Sequence, residues 1–162
     1  MILYIVRHAW AGQSGDPQWP DDDQRPLTEK GEKRFRKMMK KLAKRGVDPA
    51  QVYTSPLVRC KQTADIVAAR AASQPTVTEL DELRPGADAA AIIGKTQPSA
   101  DQDIAWVGHA PDVGQLVGDL VGDDDARFEF AKGAVAAISF EDRPQVGRGV
   151  LCWLVTAKTL GC

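Results

Sequence analysis

The sequence predicts a three-layer α/β sandwich, a mainly parallel central sheet with helices on both faces, in a single domain spanning residues 1–162. Three observations lead there. Short apolar runs alternate along the chain with longer stretches of helical periodicity, the pattern of a parallel sheet crossed by helices. Two of those runs, Met1-Ile-Leu-Tyr-Ile-Val and Ile104-Ala-Trp-Val, end abruptly in Arg7-His8 and Gly108-His109. With 162 residues, 43% of them apolar and 27% charged, the chain can bury roughly 70% of its surface in one core.

Composition narrows the function. A net charge of −1 gives no basic field for nucleic acid. No apolar run approaches the roughly 18 residues that read as a membrane span. The N-terminal run has no basic lead-in and no cleavage pattern, so a signal peptide is not expected. The three cysteines, Cys60, Cys152 and Cys162, are odd in number and widely spaced. They fit neither a disulfide framework nor a zinc site and suggest reduced thiols in a cytoplasm. With two histidines in the chain, no metal and no cofactor are expected.

Taken in order, the first strand ends at Arg7. A long polar loop follows from Ala9 to Pro26, with Trp10, Trp19 and the run Asp21-Asp22-Asp23. Loops this long are often binding or lid segments, and the two tryptophans favour a site rim. The aspartates alone read as solvated. Thr28 caps a helix over about 29–45, whose Phe35, Met38, Met39 and Leu42 form a buried stripe and which Gly46 ends. Its other face carries Lys30, Lys33, Arg34, Arg36, Lys37, Lys40, Lys41, Lys44 and Arg45 against Glu32. That face reads as solvated, with docking of an acidic protein the sharper alternative. Gln51 to Thr54 is a second strand, and Ser55-Pro56 reads as N-cap and first helical position of a helix over about 57–72. Val77 to Leu80 is a weaker strand, 87–94 a short helix, and 104–107 the most apolar strand. A helix opened by Pro111 runs to about Val121. The cluster Asp123-Asp124-Asp125 reads as a surface loop. Val135 to Phe140 and Val150 to Val155 close the sheet, with one late pair antiparallel.

Ligands of such sheets bind beyond the carboxyl ends of the strands. If the strands are parallel, Arg7-His8, Ser55 to Arg59 and Gly108-His109 meet on one edge. Arg59, in the first turn of its helix, can reach back over the helix mouth, where amide hydrogens and dipole already favour an anion. Arginine forks suit phosphate because they bind oxygens in pairs and stay charged. Each residue alone is most simply a surface or packing group. Both histidines of the chain, each directly following an apolar run, make a phosphate-handling site the stronger reading.

Arg7-His8-Ala9 resembles the Arg-His-Gly signature of the histidine phosphatase superfamily, the phosphoglycerate-mutase-like fold. Arg25-Pro26-Leu27-Thr28 with Gly31, Ser55-Pro56-Leu57-Val58-Arg59 with Gln62-Thr63-Ala64, and Val107-Gly108-His109 are similar to its other landmarks, in order. The short length and the stretch from Glu82-Leu83 to Asp88 are closest to the SixA-type phosphohistidine phosphatases. The resemblance implies His8 as nucleophile, forming a phosphohistidine that water hydrolyses. His8 would then be neutral, with one ring nitrogen bare and the other held. Arg7, Arg59 and a preferably protonated His109 would neutralise the phosphoryl oxygens, and Arg25 would join them in binding substrate.

Two departures bear on the chemistry. Ala9 replaces the signature glycine, which removes any demand for positive φ there. For a general acid, Asp81, Glu82 and Asp88 are candidates, Glu82 the best placed, although a merely polar loop explains them as well. A weak acid site suits a phosphohistidine, whose leaving imidazole has a pKa near about 6.5, better than an ester whose alkoxide needs a proton. The expected partner is a phosphorylated protein of histidine-phosphotransfer or phosphorelay type, with no nucleic acid and no membrane. A small phosphorylated metabolite is the alternative substrate, and a non-catalytic phosphate-binding module the alternative class.

Overall fold

The computed structural model describes residues 1–96, 98–123 and 125–162, so Asp124 of the second acidic cluster lies outside the described residues. Six strands form one sheet: β1 (Ile2–Arg7), β2 (Gln51–Thr54), β3 (Thr76–Glu79), β4 (Ile104–Gly108), β5 (Val135–Ser139) and β6 (Val150–Val155). Their order is β3-β2-β4-β1-β5-β6. The four strands β3, β2, β4 and β1 are mutually parallel. Strand β5 runs antiparallel to β1, and β6 antiparallel to β5. The mainly parallel sheet is therefore as expected, with two antiparallel pairings rather than one.

Alternation along β1 builds the two faces. Tyr4 and Val6 belong to one core cluster, Leu3 and Ile5 to the other. On the first face lie α1 (Glu29–Ala43) and α2 (Val58–Ala68), contributing Phe35, Met38, Met39, Leu42, Cys60 and Ala64. On the second lie α3 (Ala89–Thr96) and α4 (Asp112–Val121), with Ile92, Leu116, Val117 and Leu120 packed on Trp106 and Ile138. Burial on both sides is why the central strands read as continuous apolar runs.

Helix α1 starts as expected, with Thr28 Oγ1 accepting from the amide of Gly31 at 3.0 Å. Gly31 has a tertiary reason as well. A Cβ there would collide with the Trp10 carbonyl and lie 2.8 Å from the Trp10 Cβ. The basic face of α1 is partly spent inside the molecule. Arg34 lies over the Trp10 ring at 4.4 Å and donates to the Cys162 carbonyl, and Lys37 and Lys41 donate to carbonyls of Leu160 and Gly161. Glu29 joins Glu32 in answering that face, pairing with Lys33.

The loop from Ala9 to Pro26 folds back on itself instead of running unstructured. Its ends are closed by an antiparallel bridge between Ala11 and Leu27 and by the Thr28 amide donating to the Trp10 carbonyl. A 3₁₀ turn at Asp22–Gln24, capped by Asp21, lies within it. Trp10 is half-buried against the core beside α1, and neither Trp10 nor Trp19 lines the cleft described below, which corrects the reading of both as a rim. Burying an indole gains more than exposing it at a polar edge.

Candidate active site

Three parallel strands deliver the site to one edge. Arg7 and Gly108 are register partners across β1 and β4, and Thr54 pairs with Val107 across β2 and β4. The next residue along each strand is therefore His8, His109 or Ser55. Ladder hydrogen bonds carry on past the strand ends, from the His8 amide to the Gly108 carbonyl and from the Ser55 amide to the Val107 carbonyl, both 3.0 Å. The result is a cleft of about 490 Å³ lined by Arg7, His8, Arg59 and His109, among others. The two imidazole centroids are 5.5 Å apart, their planes inclined at 58°. Residues a hundred positions apart thus form one cup.

Each imidazole is held differently. His8 Nδ1 lies 2.7 Å from the Ala9 carbonyl. A carbonyl only accepts, so Nδ1 carries the proton and Nε2 presents a lone pair. Burial, opposed by that hydrogen bond and helped by the charges of His109, Arg59 and Arg7, pulls the His8 pKa down to about 3. The ring is neutral across the physiological range. His109 Nε2 lies 2.9 Å from Ser55 Oγ and 3.4 Å from the Cys60 thiol. Burial and then the Arg59 charge pull its pKa down to about 4. The unliganded site thus keeps His109 neutral, whereas the protonated ring is expected for the site holding a phosphoryl group. A doubly charged phosphoryl group supplies the opposite charge that would raise it.

The cationic groups are equally specific. Arg7 donates from Nη1 to the Phe130 carbonyl at 2.6 Å, and Arg59 from Nη1 to the Asp22 carbonyl at 2.8 Å. The Nε of each is buried without a hydrogen-bond partner among the described residues. Each guanidinium therefore keeps hydrogen-bonding capacity that the described protein atoms do not use. Arg25 lines the same cleft, but its fork closes on Asp22, from Nε at 2.8 Å and Nη2 at 3.2 Å, while Nη1 donates to the Gly12 carbonyl. It holds the loop and Asp22 in place.

Ser55 and Glu82 depart from expectation. The helix after Ser55-Pro56 begins later, at Val58, with Leu57 as N-cap and no side-chain cap. Ser55 Oγ is 3.5 Å from the Leu57 amide and sits instead against His109, because a buried imidazole nitrogen is the more demanding partner. Glu82 does not line the cleft; its carboxylate lies 3.6 Å from Lys95 Nζ of α3. The carboxylates lining the cleft among the described residues are Asp22 and Asp112, and Asp112 Oδ2 accepts from the Gly86 amide.

The sequence assigns no individual role to the other contributors, although Gln62 and Thr63 stand in a landmark quoted above. Thr63 Oγ1 accepts from the Ala9 amide at 3.0 Å and donates to the Arg59 carbonyl at 2.7 Å, tying the residue after His8 to the helix that bears Arg59. Gln62 Oε1 accepts from the Leu27 amide and pins the end of the loop. The segment before β5 closes the cup from the antiparallel side, with the Gly133 amide donating to the His8 carbonyl and the Arg7 amide to Ala134. Gly133 has φ +72°, and a Cβ there would press on Phe35 and Trp10 at 3.1 Å. Ala9 needs no such freedom, since the positive-φ residue other than glycine among those described is Gln74.

A three-layer sheet that gathers two neutral imidazoles and two half-satisfied guanidinium groups at the carboxyl ends of its strands defines a phosphatase-type hydrolase. Comparison with known proteins gives the family. The model of the histidine phosphatase superfamily (branch 1) matches residues 3–129, and the chain belongs to that superfamily. Its resemblance is to the SixA-type branch. Phosphohistidine phosphatase SixA of Escherichia coli is 28% identical over 163 residues, covering 99% of this chain and 96% of its own. The structure of the protein histidine phosphatase SixA complexed with tungstate has a TM-score of 0.84 at 26% identity, covering 99% of both chains. An uncharacterised protein of Picosynechococcus is 35% identical over 118 residues, 71% of this chain and 70% of that one. Among the described residues no helix is long and apolar enough to cross a membrane.

Proposed function

We propose that this protein hydrolyses the phosphoramidate bond of phosphohistidine on a protein partner, through a covalent intermediate on His8. The observation that carries the reading is the His8 Nδ1 to Ala9 carbonyl contact of 2.7 Å, which leaves Nε2 as the bare nitrogen in a cleft shared with Arg7, Arg59 and His109. Nε2 attacks phosphorus of a phosphohistidine whose other ring nitrogen has already taken a proton from water, the phosphorus–nitrogen bond breaks, and the substrate ring departs as neutral imidazole. Water then displaces His8 from phosphorus and releases inorganic phosphate. Arg7 and Arg59 neutralise the phosphoryl oxygens through donors already in place, so little reorganisation is needed as charge spreads. His109 gains a proton as the anion arrives and adds a third cationic group.

Substrate class follows from the leaving group. Neither cleft carboxylate is positioned as an unengaged acid: Asp22 is gripped by Arg25, and Asp112 accepts from Gly86. An imidazole leaving group, with a pKa near about 6.5, needs such an acid far less than an alkoxide does. The names of the SixA relatives support the same substrate. The test is a substrate panel with rapid quench. A labelled phosphohistidine protein should turn over at least about 100-fold faster, as kcat/KM, than sugar phosphates, a gap of roughly 2.7 kcal/mol. Label should be trapped on His8 as an acid-labile, base-stable adduct. Comparable rates on sugar phosphates would overturn the substrate, and absence of the adduct would overturn the mechanism.

A further inference from the structure

Asp22 lines the same cleft as Arg7, His8, Arg59 and His109, and it is built in more firmly than a loop aspartate needs to be. Oδ1 accepts from Arg25 Nε at 2.8 Å and from Ser14 Oγ at 3.1 Å. Oδ2 accepts from Arg25 Nη2 at 3.2 Å and lies 3.1 Å from Arg59 Nη1. The backbone carbonyl of Asp22 accepts from that same Arg59 nitrogen at 2.8 Å. Arg25 is anchored in turn on the Gly12 carbonyl at 2.7 Å. The hydrogen bonds from Arg25 hold the carboxyl pKa down to about 2, so the group stays anionic wherever the protein is folded and working.

A fixed negative charge is unexpected in a cup that receives a doubly charged anion, since like charges repel even where, as at this 43% exposed carboxylate, solvent screens them. It also shares one of the two guanidinium groups that anion would use. Arg59 is only partly spent on it: Nη1 goes to Asp22, while Nε is buried and open. We infer that Asp22 is a built-in counter-anion, which aims Arg59 through its backbone carbonyl while its carboxylate competes with the phosphoryl group for the same guanidinium. The carbonyl gives orientation without charge. The carboxylate lowers affinity for the ground-state anion, so the phosphate product departs once the phosphohistidine has been hydrolysed. Binding that is equally strong for substrate, product and transition state gains no turnover, and a counter-charge removes that uniform part.

The inference rests on the cleft being the phosphoryl site, and one experiment separates the two. Inorganic phosphate is titrated calorimetrically at pH 7.5 into the wild-type protein, Asp22→Asn and Asp22→Glu, with thermal melts confirming that each is folded. Asn removes the charge but keeps an acceptor for Arg25 and the backbone carbonyl on Arg59; Glu retains the charge. Phosphate should bind Asp22→Asn about tenfold more tightly than wild type, product inhibition should strengthen by the same factor, and Asp22→Glu should stay near wild type. Wild type that binds no phosphate would sink both the cleft assignment and this inference. Wild type that binds, with Asp22→Asn equal or weaker, would leave the assignment standing and reduce Asp22 to a strut. Should Asp22→Asn not fold, Asp22→Ser, which also discharges the position, carries the same requirement.

Discussion

His8 and His109 leave their strands in the same way, one position after the register partners Arg7 and Gly108, yet they end up with opposite kinds of partner. His8 faces a backbone carbonyl, which can only accept, so its protonated nitrogen is chosen and its other nitrogen left bare. His109 faces the hydroxyl of Ser55, which can donate or accept, so that ring is satisfied both neutral and protonated. Equivalent sequence contexts therefore yield one imidazole of fixed tautomer and one free to change charge. The partner atom, not the strand, assigns the role.

The sharpest way to break this contrast is to remove each ring in turn. His8→Asn should lower kcat by at least about 10³-fold and leave no trapped label, because no other group supplies the attacking lone pair. His109→Asn should cost about 10²- to 10³-fold, the scale of one lost charge-stabilising donor, while label still accumulates on His8. Equal losses with no adduct in either variant would erase the distinction. Acid stability probes both rings together. Their folded pKa values of about 3 and about 4 lie below the ordinary 6.5, so the unfolded chain binds more protons between those limits. Stability is therefore full above about pH 6.5 and falls as pH drops toward 4. His8→Asn should remove on the order of 2 kcal/mol of that loss at pH 5, read from urea midpoints at pH 7 and pH 5.

Smaller effects sharpen the contrast. Ser55→Ala should lower kcat/KM by about tenfold and move the pH limb belonging to His109, with the His8 adduct still formed. Thr63→Val keeps the shape but removes the acceptor for the Ala9 amide, costing about 1–3 kcal/mol of stability in a denaturant melt. Its activity should fall by no more than about tenfold, since the Ala9 carbonyl still faces His8.

The strand ends were legible because burial on both faces makes a parallel strand read as an apolar run, and a charged or imidazole side chain ends it audibly. The α1 stripe was legible for the same reason, with Phe35, Met38, Met39 and Leu42 all buried. Ser55 was misread as a cap because Ser-Pro is a local signature, whereas its partner His109 lies 54 residues away. Asp22 hid inside a run that resembles solvated acid; the arginine three residues on was the only hint. Glu82 was ranked first and Asp112 was not considered, since where a side chain comes to lie depends on packing that no short pattern encodes. Phe130 and Ala134 act through backbone carbonyls, which any residue type would provide.

The position of β4 between β1 and β2 has a consequence for how the cleft is assembled. Along the chain His8 precedes the helix bearing Arg59, but the sheet joins their strands only through a segment some fifty residues further on. Without β4, nothing in the sheet holds the strands of His8 and Ser55 side by side. The cleft proposed as the phosphoryl site is therefore assembled only when the central strand is in place.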